Sequence, residues 1–180
     1  MAVNNLLQSI LVGGTTDEEK VLRSPTQELH SLDDLCLKTI SELRDTIKQY
    51  PFCVGLSAPQ IGCSLSISVI DINHAGAGND IVMINPHIIE VKGKKDKKRE
   101  SCMSVWGKQG EVERRDKVVV EYRNENFQLV TNEYRGYVSR CIQHEIDHLN
   151  GVLYVDKLVP GSGLSDASFF DDYSSSKEVQ

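Results

Sequence analysis

Three features of the sequence predict a single domain of mixed α and β structure. Leu32, Cys36, Ile40, Leu43 and Ile47 recur at helical spacing, the stripe by which a helix covers a core. Several short runs alternate or are rich in β-branched residues, among them Leu65 to Ile72 and Lys117 to Arg123, as strands do. A second helical stretch opens near Tyr137 and stops at Asn150-Gly151, a common helix terminator.

The elements follow in order. Met1 to Gly14 reads as an extended entry, and Val21 to Pro25 as a short packed segment broken by proline. The first helix is expected over Leu32 to Gln49, capped by Ser31 with Asp34 in its first turn. Pro51 ends it. Cys53 to Gly62 combines small residues, two glycines and a proline in a tight backbone path. Strands are expected at Leu65 to Ile72, Asp80 to Asn85 and Ile88 to Val91, with the loop His74 to Asn79 between the first two. Lys92 to Arg99 is a basic run, expected at a solvated hairpin tip. Glu100 to Val105 reads as a strand or strand end. Lys117 to Arg123 is expected to pair with Gln128 to Asn132 across Asn124-Glu125-Asn126. Val152 to Val155 should be extended. From Pro160 onward the chain turns serine-rich and acidic, as a mobile tail would be. The expected division is a catalytic domain over 1–159 and a tail over 160–180.

The 180 residues are 39% hydrophobic and carry a formal charge of −6. Such a balance gives no ground for sequence-specific nucleic-acid binding. No apolar run is long enough to span a bilayer, and no secretory or transit pattern opens the chain. The five cysteines, odd in number and irregularly spaced, suit a reducing compartment, so a cytoplasmic location is expected.

The stretch with most chemical content is Gln143 to Gly151, where His144 and His148 stand four residues apart and Glu145 follows the first. On a helix both imidazoles lie on one face and can reach one metal ion, while Glu145 can handle the proton of a water activated there. A third ligand is then needed. The pattern HExxHxxGxxH of the metzincin proteases is matched at Gly151, but Tyr154 occupies the third-ligand position. Thermolysin-like proteases take a glutamate from a later helix, and only 32 residues follow His148 here. The ligand must therefore come from upstream, where Cys102, His87, His74 and several carboxylates are candidates.

Three stretches taken together, Gly55-Leu56-Ser57-Ala58-Pro59-Gln60-Ile61-Gly62, Glu100-Ser101-Cys102-Met103-Ser104 and Gln143 to Gly151, resemble the three motifs of the peptide deformylases in order and approximate separation. The resemblance runs from about Val21 to Leu158. It implies an α+β fold in which antiparallel sheets surround the helix that carries HExxH. It implies one divalent metal ion held by Cys102, His144 and His148, natively Fe²⁺, with Zn²⁺, Ni²⁺ or Co²⁺ able to replace it. The implied reaction is hydrolysis of the N-formyl group from the formyl-methionine of nascent polypeptides. Glu145 would carry the proton, and the Gln60 side chain and Met103 backbone N–H would meet the oxyanion. Gly55 and Ser101 would flank the peptide backbone, and Leu56, with Ile142, is a candidate for the methionine pocket. Glu100 is expected to pair with Arg114. A transient ribosome contact is implied as well, although the basic C-terminal helix of many bacterial members is replaced here by an acidic tail.

The chain departs from the family pattern at several positions. Cys53 stands for glycine, Ser57 for alanine, Ser101 for glycine, Met103 for leucine, Trp106 for proline and Gln109 for arginine. None removes a ligand or the base. Ser101 adds a Cβ beside the substrate path, and Trp106 is expected to build a wall near the site. A different class of function for the same motifs is a catalytically altered homologue that binds formylated or processed N-termini. Intact Glu145 speaks for the hydrolase.

Overall fold

The computed structural model describes residues 17–168 except Ala75 and Ala77. The expectations for Met1 to Gly14, and for the tail from Phe169 to Gln180, lie outside the described residues. The elements are α1 (Asp17–Leu22), α2 (Asp34–Gln49), β1 (Gly55–Ser57), β2 (Ile67–Ile70), β3 (Ile81–Cys102), β4 (Val105–Arg123), β5 (Leu129–Arg135), α3 (Gly136–Leu149) and β6 (Leu164–Asp166). Short 3₁₀ turns follow β1 (Ala58–Ile61) and α3 (Tyr154–Lys157). The strands form one antiparallel sheet in the order β1-β2-β3-β4-β5, with β6 added beside β4.

The centre of the sheet is buried on both faces, and strand alternation divides its side chains between the two long helices. Ile67, Val69, Val82 and Ile84 pack with Cys36, Ile40, Leu43 and Ile47 of α2. Ile70 and Met83, one residue out of step, pack with Ile142 and Ile146 of α3. The stripe read from the sequence is thus the packing face of α2. The cap lies two residues beyond the expected one: Asp33 accepts a hydrogen bond from the Cys36 N–H at 2.8 Å.

The largest correction concerns β3. Asp80 to Asn85 and Ile88 to Val91 are parts of one strand, interrupted by register shifts against β4. Pro86 sits at the first shift, where a missing N–H is tolerated. The basic run is no hairpin tip: Lys92 to Arg99 lies within β3, opposed by Lys117 to Glu111 of β4. Its side chains are exposed on both faces of the strand, with only Lys92 and Asp96 half-buried, so the charges do not prevent pairing. The tip comes later, at Met103-Ser104, where Cys102 pairs with Val105.

α3 ends where the sequence indicated. Gly151 has φ +73°, and a Cβ there would come within 2.5 Å of the Arg23 carbonyl oxygen. Val152 to Val155 enters a 3₁₀ turn from Tyr154 onward instead of extending fully. Within the expected tail, Leu164–Asp166 forms β6, because the pairing is made by the backbone and tolerates polar side chains. Gly110 lets Leu158 and Leu164 approach β4 closely. No helix among the described residues is long and apolar enough to cross a membrane.

Candidate active site and metal centre

The tip of the β3–β4 hairpin carries Cys102 to the buried face of α3. There its Sγ lies 3.1 Å from His148 Nε2. One donor atom each from Cys102, His144 and His148 falls within 4.8 Å of the others. Donors sharing a tetrahedral ion at bond lengths of 2.0–2.3 Å stand roughly 3.5 Å apart. The group therefore fits one divalent ion, and a thiolate with two imidazoles suits a first-row transition metal. Burial, followed by the charge of His144, pushes the His148 pKa well below its ordinary value. A neutral imidazole is the form that can ligate. His74 and His87 lie outside the group, and His87 pairs instead with Glu28 at 3.0 Å.

His144 is oriented from behind. Burial alone would lower its pKa, but hydrogen bonds to Cys102 and Glu100 outweigh that and raise it. Its Nδ1 lies 3.1 Å from Glu100 Oε2. A proton held there leaves Nε2 free to face a metal. Tyr154, at the position a metzincin would give to its third ligand, stacks its ring on His144 at 6.2 Å between centroids.

Glu100 is the hub between hairpin and helix. Arg114 on β4 grips it with two bonds of 2.6 and 2.8 Å, and Arg140 on α3 adds one of 2.6 Å. Arg114 also donates to Asp147 at 2.8 Å. Burial opposes the charge on Glu100, yet the bonds from His144 and Arg114 prevail and hold its carboxyl far below the usual range. The pairing of Glu100 with Arg114, expected from position in the second motif, is present.

Glu145 points from α3 toward β1. Ser57 Oγ lies 2.7 Å from Glu145 Oε2 and 3.0 Å from its carbonyl oxygen, and can donate to either. On the same side of β1, a Cβ at position 55 would stand 2.8 Å from Glu145 Oε1, so glycine keeps room for the carboxylate. Burial raises the Glu145 pKa against the lowering influence of His144 and Ser57, which suits a group that must accept and return a proton. Gln60 follows in the 3₁₀ turn. Its Oε1 accepts from the Ser57 N–H at 2.9 Å. That bond orients Nε2 to Ser104 Oγ at 3.1 Å and Cys102 Sγ at 3.5 Å.

One cavity opens on this group. Its lining includes Gly55, Gln60, Ser101, Cys102, Met103, His144 and Glu145, so most of the residues singled out from sequence share it. Leu56 does not. Alternation in β1 turns Gly55 and Ser57 toward Glu145 and sends Leu56, fully buried, into the core beneath α2. Ile142 is likewise core. Trp106 packs edge-on against Tyr50 and Phe52, and of the three only Phe52 lines the cavity. Trp106 therefore backs a wall it was expected to form. Gln109 is remote in role: its amide donates to the Asp166 carbonyl at 2.9 Å and secures β6.

Other lining residues were not singled out. Tyr137 and Cys141 line the cavity, and both lie on the helical face of His144, Glu145 and His148 by their spacing. That periodicity was the available signal. Cys53 also lines it, from a position noted only as a departure. Arg140 had no local signal, since it serves through Glu100 on a distant strand.

A sequence profile of the family described as polypeptide deformylase matches residues 15–162. The peptide deformylase of Chlorobium phaeovibrioides is 38% identical over 147 residues, covering 80% of this chain and 76% of that protein. That of Halothermothrix orenii is 41% identical over 142 residues, covering 78% and 89%. Among solved structures, the peptide deformylase of Synechococcus elongatus in complex with actinonin superposes with a TM-score of 0.72 at 36% identity, over 79% of this chain and 75% of that one. The chain belongs to the polypeptide deformylase family, metal-dependent hydrolases that remove the N-formyl group from the formyl-methionine of nascent polypeptides.

Proposed function

We propose that Cys102, His144 and His148 hold the metal of this deformylase and that Glu145 is its proton carrier. The observation that carries the proposal is the gathering of donor atoms from Cys102, His144 and His148 within 4.8 Å of one another, beside a cavity that Cys102, His144 and Glu145 line, with Glu145 braced by Ser57 and His144 by Glu100. The ion, when bound, supplies Lewis-acid polarisation and a lowered pKa for water. Glu145 accepts the proton of the attacking water and delivers it to the leaving amine, so that formate and a free N-terminus result. Gln60 Nε2 and the Met103 backbone N–H stand as donors for the oxyanion. The orientation of Gln60 by Ser57 supports this role.

Gly55 and Ser101 flank the peptide. Beyond its pairing with β2, β3 has a strand neighbour only on the β4 side among the described residues, and we infer that its other edge takes a substrate strand near Ser101. We infer Fe²⁺ as the native ion, with Zn²⁺, Ni²⁺ and Co²⁺ as substitutes, from the mixed thiolate and imidazole donors. The five free cysteines support a cytoplasmic setting. We infer that catalysis belongs to 1–159, while Leu164–Asp166 of the expected tail adds β6 beside β4. Transient contact with the ribosome, the source of nascent substrate, fits the exposed cations of β3.

Metal content tests the ligand assignment. Wild type reconstituted anaerobically with Fe²⁺ or Ni²⁺ should hold one ion per chain and release formate from formyl-Met-Ala-Ser. Cys102→Ser and His148→Ala should lose tight binding and activity together. Stoichiometric metal in both variants would refute the assignment.

A further inference from the structure

The cavity is lined by four charged side chains: Arg99, Glu100, Arg140 and Glu145. Three have partners. Glu100 is held by Arg114, Arg140 and His144, Arg140 also reaches the Val112 and Asp96 carbonyls, and Glu145 is bonded by Ser57. Arg99 is different. It is exposed, and among the described residues its side chain has no hydrogen bond or ion pair. Glu111, its neighbour across β4, makes no ion pair with it. Two cations of the same run do have partners: Lys95 pairs with Glu113 at 2.6 Å and Lys98 with Asp96 at 2.9 Å. Arg99 thus places a guanidinium without a side-chain partner at the wall of the cavity.

Its position along β3 says what it can meet. Arg99 and Ser101 project from the same face of the strand, about 6.8 Å apart. A peptide whose formyl group is at Glu145 and whose backbone follows the free edge of β3 past Ser101 brings its next residues level with Arg99. We propose that Arg99 is a specificity-determining residue that favours substrates with aspartate or glutamate in the two positions after formyl-methionine. This rests on the peptide path past Ser101 given above. A carboxylate accepts two parallel bonds from a guanidinium, a geometry that lysine cannot supply.

The test compares formate release from formyl-Met-Glu-Ala and formyl-Met-Ala-Glu with that from their glutamine counterparts, as kcat/KM ratios within each enzyme. Wild type should favour at least one glutamate peptide by about 3- to 5-fold at low salt, the size of an exposed ion pair. The ratio should fall toward one in 0.5 M NaCl, about a 4 Å Debye length. Arg99→Ala should bring it near one, and Arg99→Glu should invert it. Lys48→Ala, the same loss of charge on α2 away from this cavity, should retain the wild-type ratio. A wild-type ratio of one would overturn the inference, and is the outcome if Arg99 serves RNA along the basic strand instead. A ratio that persists in Arg99→Ala would also overturn it. Absence of formate from the glutamine peptides would reject the reaction reading itself, which separates the two failures.

Discussion

The two long helices teach opposite lessons. α2 is an ordinary amphipathic helix. Asp33 caps it, a stripe of Cys36, Ile40, Leu43 and Ile47 is buried, and the remaining face is largely solvent-exposed. α3 has no side-chain cap, and it buries Ser139, Arg140, Gln143, Glu145 and His148 beside its apolar residues. Buried polar groups are costly without partners. Apart from His148 Nδ1, those of α3 find theirs largely on β1, β3 and β4: Ser57 for Glu145, Glu100 for Arg140, and the Arg115 carbonyl for Gln143 at 2.8 Å. α2 contributes core, whereas α3 is held in place by the polar contacts that prepare its chemistry.

Breaking α3 at its proposed proton carrier should have the largest effect. Glu145→Gln keeps the size of the side chain but not its basicity, and should lower kcat by about 100- to 10,000-fold with the metal retained. Next comes its support. Glu100→Ala leaves Arg114 and Arg140 buried and His144 unbraced. Metal affinity should fall about 10- to 100-fold, and chemical denaturation should register a loss of roughly 3–5 kcal/mol. At the end of α3, Gly151→Ala meets both a left-handed φ and the Arg23 carbonyl. It should cost about 1–3 kcal/mol, read as a lower melting temperature. The counterpart in α2 is the mildest: Asp33→Ala removes one cap and should cost about 1 kcal/mol with little change in kcat.

The same contrast explains what could be read from sequence. The stripe of α2 repeats within sixteen residues, and the spacing of His144 and His148 lies within one turn, so both are local. Local pattern offers Cys102 only as one of several upstream ligand candidates, and the roles of Cys102, Gln60 and Glu100 come from the joint resemblance of three motifs. Ser57 was noted only as a substitution, because its bond to Glu145 spans 88 residues. Leu56 was placed in the pocket because the motif gives position without face, and alternation in β1 decides the face. The basic run of β3 departs from the expected hairpin tip because charge predicts exposure and says nothing of pairing. Its bulges against β4 depend on a partner strand that the run itself does not reveal.

The central claim is that Glu145, braced by Ser57 beside the Cys102, His144 and His148 group, moves the proton in deformylation. Its most direct test is the single-turnover rate of formate release from formyl-Met-Ala-Ser by wild type and Glu145→Gln, each loaded to one metal ion per chain. The account predicts a burst of formate from wild type and a rate lower by at least about 100-fold in the variant. Equal rates at equal metal content would contradict it and move the proton to another group.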